Sequence, residues 1–382
     1  SCYHKENLGR KIVLSYWEKT TLRHFDLVVV GGGIVGHFAA LFYAQKNPTH
    51  RIAILERGLF PSGASTKNAG FACFGSISEL EHDVASIGKE ATASLVMKRY
   101  NGLKLLRETL GDEAIDYREV GGYEMCFEPP NQERIDFFND LLEPHLGTPP
   151  YAVEASKGYG FSTKVTHLIK NALEGTVDTG KMMAALQQKA AQAGVLTFTQ
   201  SSVEELENTK EGKVVHIQTP NGPVAFFARQ VALCTNAFSR KFLSDEELEP
   251  GRGLILISKP HTAFHWEGSF HYHDGYNYFR TIDGRLLLGG GRHLDKTGET
   301  TLESGINSTI EKALKEDVAS LIAPGVDVEI DYLWSGVMAF GSNKQPVVKR
   351  VDDHMVVGVR LGGMGVAVGA QVGLDLANEM CL

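Results

Sequence analysis

The spacing of hydrophobic and polar positions changes several times along the chain. In "FDLVVVGGGIVGHFAALFYAQKNPTHRIAILER" an apolar β-branched run, Val28 to Val30, meets three glycines. A second apolar stretch follows, then a break at Asn47, Pro48 and Thr49, then another short apolar run. This pattern predicts a strand near Asp26–Val30, a tight glycine turn, a helix to about Gln45 and a second strand over Arg51–Leu55. Strands this apolar suit a parallel sheet covered on both faces, so the unit reads as βαβ. Leu27 to Ala44 has only His37 as a strongly polar member, but Gly31, Gly32 and Gly33 interrupt it, which argues against a membrane span.

From about Val84 the pattern becomes helical, then strand-like in "YREVGGYEMCFEP". "VDTGKMMAALQQKAAQAGV" predicts a helix with Asp178 or Thr179 as N-cap and Gly194 as its stop, followed by strands in "VVHIQTP" and "RQVALCTNA". Between Glu246 and Tyr332 come strands rich in aromatics and histidine, with a helix expected over Leu302–Leu321. The last segment, "HMVVGVRLGGMGVAVGAQVGLDLANEM", repeats the plan of strand, glycine turn and helix. The fold class read from this order is α/β. A doubly wound Rossmann-like domain (residues 24–85, 175–245 and 333–382) is interleaved with an antiparallel or mixed β-sheet substrate domain (residues 86–174 and 246–332).

A length of 382 residues allows two or three domains. The net charge of −8, without a long basic run, argues against nucleic acid as the partner and for a small molecule. Cys2, Cys73, Cys126, Cys234 and Cys381 lie far apart and read as reduced thiols. The first 24 residues intersperse Lys5, Glu6, Arg10, Lys11, Glu18 and Lys19 and lack an apolar signal core, so a cytoplasmic protein is expected. His261, His265, His271 and His273 have no carboxylate or cysteine at firm metal-ligand spacing, so no metal is expected. No serine sits in a G-x-S-x-G elbow.

Gly31, Gly33 and Gly36 form G-x-G-x-x-G around Ile34 and Val35, after a strand and opening a helix. There, backbone N–H groups can meet a pyrophosphate that tolerates no intervening Cβ. Glu56 ends the second strand, where a carboxylate can accept from both ribose hydroxyls and disfavours a 2′-phosphate. Arg57 beside it is the one residue that reopens a phosphorylated ribose. The fingerprint alone fits FAD or NAD, so an NAD-dependent dehydrogenase stands as the alternative enzyme and a non-catalytic flavin-carrying assembly or electron-transfer protein as the alternative to an enzyme.

"GGGIVG", "ER" and "GASTKNAGFACFGS", followed in order by "GTVDTGKMMAAL", "VALCTNAFS", "YFRTIDGRLLLGG", "LWSGVMAFGSNKQPVV" and "LGGMGVAVGAQVG", resemble the D-amino-acid oxidase, glycine oxidase and sarcosine oxidase superfamily. The resemblance covers roughly Asp26 to Ala377 and implies FAD. It implies that Gly63, Ala64, Ser65 and Thr66 approach phosphate and ribitol, that Lys67, Asn68, Ala69 and Gly70 pass beside the isoalloxazine, and that Val203 contacts adenine. Asn236 and Gly336 belong to the matching segments. Gly362, Gly363, Met364, Gly365 and Val366 place N–H groups at a helix start, suited to the negative charge of a reduced flavin.

The resemblance also implies oxidation of a C–N bond. Hydride leaves the carbon beside a neutral amine for flavin N5, and the imine is hydrolysed. The substrate is an amine or an amino acid, and the electron acceptor, oxygen or another, is left open. Relatives carry an arginine after "WAG" to clamp a carboxylate, where this chain has Val337, Met338 and Ala339. Arg280 is the first replacement expected, with Arg292 and Arg360 behind it; Tyr278, with Tyr276 and Tyr123, forms an expected aromatic wall. Lys67 stands where relatives usually have arginine. The positions of a flavin-linking cysteine and an oxygen-activating lysine are apolar here, around Val337–Met338 and at Leu287. That implies non-covalent FAD and argues against fast use of oxygen.

Overall fold

The computed structural model describes residues 13–243 and 246–381; Cys2, Lys5, Glu6, Arg10 and Lys11 lie outside the described residues. The chain runs α1 (Tyr16–Thr21), β1 (His24–Val30), α2 (Ile34–Lys46), β2 (Ile52–Leu55), α3 (Ala64–Lys67), β3 (Phe71–Ala72), α4 (Ile77–Ile87) and α5 (Lys89–Leu110). Next come β4 (Gly122–Cys126), α6 (Gln132–Leu146), β5 (Tyr151–Ala155), β6 (His167–Asn171), β7 (Gly175–Thr176), α7 (Thr179–Gln192), β8 (Leu196–Phe198), β9 (Ser202–Asn208), β10 (Lys213–Thr219) and β11 (Gly222–Leu233). The remainder is β12 (Glu249–Ser258), β13 (Ser269–Tyr272), β14 (Asn277–Ile282), β15 (Arg285–Gly290), α8 (Ser308–Asp317), β16 (Ile330–Phe340), β17 (Val347–Asp352), β18 (Met355–Val359) and α9 (Gly365–Met380).

The opening βαβ unit forms as its pattern dictates. β1 pairs in parallel with β2 on one side and β11 on the other, and β18 and β8 extend this parallel core. Every residue of α2 from Ile34 to Ala44 is buried, because the sheet lies on one side and α5, α7 and α9 on the other. Helix α9 comes this close only through glycine: a Cβ at Gly373 would lie 2.5 Å from Phe38 Cβ. The opposite face of the sheet is closed by the antiparallel layer β9–β10–β11.

The second sheet runs β16-β12-β15-β14-β13-β4-β6-β5 and is antiparallel except for the β13–β4 pair. Its outer face packs Phe270, Phe279, Leu286 and Leu288 against Trp266 and α8. On the inner face Ile255, Ile257, Leu287, Tyr278 and Trp334 meet Ala69 and Phe71, from the segment that follows β2. The two sheets meet at that loop and where Val337 and Ala339 of β16 pack into the core beneath the first sheet.

Strand pairing moves two expected boundaries. Residue 333 falls inside β16, which pairs with β12 from end to end, so we place the division after Phe340. Leu103, Leu106 and Leu110 of α5 pack with the helices of the first sheet, although residues 86–174 were expected in the other domain. The helix expected from Leu302 begins at Ser308, because the Asn307 side chain caps it by accepting from the N–H groups of Thr309 and Ile310.

Candidate active site

β1 ends where α2 begins, and the turn between them opens onto a cavity of about 550 Å³. Gly31 and Gly33 line it, as do Ile34 and Val35, while Gly36 does not. Gly36 instead lets the helix sit against the turn, since a Cβ there would lie 2.0 Å from the Gly31 carbonyl oxygen. Glu56, at the end of β2 and 8% exposed, accepts from the N–H of Gly32 at 3.0 Å and of Gly58 at 2.8 Å. Both carboxylate oxygens keep lone pairs for further donors. Arg57 stacks its guanidinium 3.8 Å from the centre of the Phe238 ring, and both line the cavity with Val203 and Asn236. Asn236 accepts from the Arg360 N–H at 2.9 Å, which ties β11 to the turn before α9.

The loop after β2 divides its labour. Gly63, Ala64, Ser65 and Asn68 line the cavity, and Ser65 Oγ accepts from the Ile34 N–H at 2.9 Å, at the start of α2. Thr66 donates to the Pro61 carbonyl, so its hydroxyl shapes the loop and does not line the cavity. Asn68 bridges the carbonyls of Ala64 and Ser65 and accepts from the Gly70 N–H. Ala69, Gly70, Lys67 and Gly336 also lie off the cavity. Lys67 packs against Gly336, and its carbonyl accepts from Trp334 Nε1 at 3.2 Å. Gly36, Thr66, Lys67, Ala69, Gly70 and Gly336 do not line this cavity; they build the loop and the turn around it.

At the far end Gly362, Gly363, Gly365 and Val366 line the wall, where α9 starts without a side-chain cap and so presents free N–H groups. A second cavity of about 520 Å³ adjoins here and shares Met338, Leu361, Gly362 and Gly363 with the first. Met364 lines only this second cavity, with Cys73 Sγ 3.6 Å from its sulfur. Gly253 lines it on β12 without a side chain, while the face of Gly251 is covered by the Phe340 ring and the Arg292 side chain. Tyr278 stands above, its ring over Gly289. Burial pushes the Tyr278 hydroxyl up to about 12, so it stays protonated at neutral pH.

Arg280 does not reach either cavity, and the expectation that it clamps a substrate carboxylate is overturned. It is 5% exposed and on the inner face with Tyr278, but Nη1 donates to the carbonyls of Val177 at 2.8 Å, Gly70 at 3.1 Å and Ala69 at 3.4 Å. Three carbonyls of the loop and of β7's end capture the group, and burial lowers its pKa to about 10. Its own small cavity lies elsewhere, beside Asp116, Arg118 and Trp266. The second cavity carries other cations: Arg99, Arg292, Lys296, Lys344 and Arg360. Sequence reading ranked Arg292 and Arg360 second and missed Arg99, Lys344 and Phe238, which no local motif marks.

The DAO family, described as FAD dependent oxidoreductase, matches residues 26–379. The chain belongs to this family. As an FAD-dependent oxidoreductase of amino-acid oxidase type, it is 24% identical over 344 residues to the glycine oxidase of Bacillus subtilis strain 168, covering 86% of this chain and 85% of that one. Its fold is that of the glycine oxidase from Geobacillus kaustophilus, with a TM-score of 0.75 at 19% identity over 94% of this chain and 95% of that one. The L-proline dehydrogenase from P. horikoshii shares the fold at a TM-score of 0.73 and 16% identity, covering 93% of each chain.

The residues present fit FAD. A carboxylate with spare lone pairs stands at the ribose end, two helix N-termini offer uncapped or hydroxyl-bound amides, and glycines clear the path between them. An NAD-dependent dehydrogenase is set aside by the family. Among the described residues no helix is long and apolar enough to cross a membrane.

Proposed function

We propose that this enzyme oxidises a C–N bond of an amine or amino acid to an imine, which water then hydrolyses to a carbonyl compound and the freed amine or ammonia. The observation that carries this reading is the second cavity, which opens onto the FAD cradle at Met338 and Gly362–Gly363 and holds enough volume for a substrate well above glycine in size. FAD, when bound, supplies the two-electron acceptor.

The chain's own residues then have limited tasks. Gly253, Met338 and Tyr278, which line the second cavity, seat the substrate beside the cradle. The amine must be neutral for its lone pair to assist departure of the neighbouring hydrogen with its electrons; this leaves an iminium, whose N–H proton passes to solvent to give the imine. No strong protein base is needed. The free amides at the start of α9 would offset negative charge on FAD held in the cradle.

We propose that FAD is held without a covalent bond: Cys73, which contacts the Met364 side chain, is fully buried, and burial pushes its thiol well up. Four free cysteines, Cys73, Cys126, Cys234 and Cys381, support a reducing compartment such as the cytoplasm. The test is turnover of a broad panel of amines and amino acids with oxygen and, separately, an artificial dye as acceptor. The reading requires a carbonyl product formed in proportion to acceptor reduced; absence of product across the panel with both acceptors contradicts it.

A further inference from the structure

Among the described residues three arginines are buried, Arg99, Arg280 and Arg292. Arg99 and Arg292 each face a carboxylate, Asp83 at 3.9 Å and Glu249 at 3.1 Å. Arg280 faces none within ion-pair distance among the described residues. Its Nη1 goes to the carbonyls of Ala69, Gly70 and Val177, and its Nε to that of Thr281 at 3.3 Å. Carbonyl dipoles offset only part of the hydration that a buried guanidinium gives up, so this cation lacks a counter-charge. Nη2 is left over. It donates to no described residue, yet the protein does not seal it in, and Arg280 lines the cavity of about 250 Å³ beside Trp266.

That cavity shares no residue with the cradle or with the second cavity. It lies where β7 meets the end of β14 and the turn that follows. Thr176, 3% exposed and next to Val177, lines it too, and its hydroxyl likewise has no described partner and is not sealed in. Two polar groups that the fold leaves unused therefore face one space. At the exposed rim Arg118 pairs with Glu267 at 2.9 Å and with Asp116 at 3.4 Å, while Asp283 has no described partner. One unpaired cation at depth and acidic groups at the mouth favour a monoanion over a dianion.

The same guanidinium braces the loop beside the cradle. Nη1 reaches the Gly70 carbonyl, the Gly70 N–H donates to Asn68 Oδ1 at 2.8 Å, and Asn68 lines the cradle. The approach requires glycine: residue 70 has a φ of +74°, and a Cβ there would lie 2.7 Å from Nη1. Two hydrogen bonds thus link Arg280 to a residue of the FAD site.

We propose that the cavity at Arg280 and Thr176 is a separate binding site for a small monocarboxylate, and that its occupation tightens the hold on FAD. The carboxylate accepts from Arg280 Nη2 and the Thr176 hydroxyl and supplies the missing counter-charge. This fixes the guanidinium and, through it, the Gly70 carbonyl and Asn68. By linkage, FAD tightens carboxylate binding by the same factor. The inference rests on the FAD cradle and not on the proposed C–N oxidation.

The test uses the FAD-loaded enzyme and needs no turnover. Acetate, acetamide and inorganic phosphate are titrated by calorimetry into wild type, Thr176→Val, Asp283→Asn and Arg280→Lys. Thr176 and Asp283 line neither of the other two cavities, so a change they cause reports this site. Thr176→Val removes a hydroxyl that holds nothing else, and asparagine accepts the positive φ of Asp283, 52°, so neither change strains the fold. Acetate should bind in preference to acetamide and phosphate. Its binding should be at least about fivefold weaker in Thr176→Val, at least about tenfold weaker in Arg280→Lys and about twofold tighter in Asp283→Asn. Saturating acetate should lower the FAD dissociation constant about threefold in wild type and much less in Thr176→Val. Acetate that binds no better than acetamide, phosphate that binds as tightly as acetate, or acetate binding indifferent to both Thr176→Val and Asp283→Asn overturns the site. Should Arg280→Lys fail to fold, those two variants still decide. Acetate binding that responds to the variants while FAD retention does not respond to acetate overturns the coupling and leaves the site standing.

Discussion

Tyr278 and Gly289 stand opposite each other on β14 and β15, and the tyrosine ring fills the space a side chain at 289 would need, with Cε2 2.5 Å from where a Cβ would sit. The glycine is what lets the tyrosine lie flat on the sheet and face the cavity. Gly289→Ala should displace the ring and destabilise the protein by about 1–3 kcal/mol. The drop in thermal midpoint measures this, and Tyr278→Ala in the same chain should recover part of it. Additive losses would show that the two residues do not compete for space.

Glu56→Ala removes the carboxylate expected to meet the ribose. FAD retention should weaken by about 1.5–3 kcal/mol, read from the dissociation constant by flavin fluorescence. Unchanged retention would make Glu56 only a brace for Gly32 and Gly58.

Arg280→Met strips the donor from the carbonyls of Ala69 and Gly70, on the loop that meets the second sheet, and of Val177, just after β7. The account expects loss of stability of about 3 kcal/mol or more and looser FAD, with equal effects on a carboxylate substrate and its decarboxylated counterpart. Selective loss on the carboxylate substrate would return Arg280 to the role the structure denies it.

Glu174 is buried where it accepts from the N–H groups of Phe74 and Gly75, and burial raises its pKa to about 8. Because the folded pKa lies above the unfolded one, the folded state holds the extra proton. The stability that Glu174 contributes is therefore full below the ordinary carboxylate range and is lost as pH rises through about 8. The unfolding midpoint should decline from pH 5 to pH 8, and Glu174→Gln should flatten that decline. An unchanged slope in the variant would assign the pH dependence to other groups.

Much of the fold was legible because local chemistry and tertiary context agree. The Val28–Val30 run, the glycine turn and the apolar helix are buried from every side, so pattern alone placed β1, α2 and β2 within a residue or two. Asp178 caps α7 as its side chain permits, accepting from the Lys181 N–H. Helix α6 was passed over although Ile135, Phe138 and Leu142 recur at helical spacing, because its polar surface and Pro144 obscure the signal.

The cradle was legible for a different reason: glycines and a strand-end carboxylate have to stand at fixed offsets. The substrate side was not. Arg280 lies on the face that alternation allows, yet its destination depends on carbonyls of Ala69 and Val177, far off in sequence. Arg292 and Gly251 are likewise brought together only by the pairing of β12 with its neighbours.

The most direct test of the central claim is the visible spectrum of the purified protein under anaerobic titration with amines and amino acids. The account predicts the bands of oxidised FAD, released by heat or acid, and bleached to the reduced form by at least one member of the panel, with a carbonyl product equal to the FAD reduced. A colourless protein that saturates with NADH, or bound FAD that no member of the panel reduces, would contradict it.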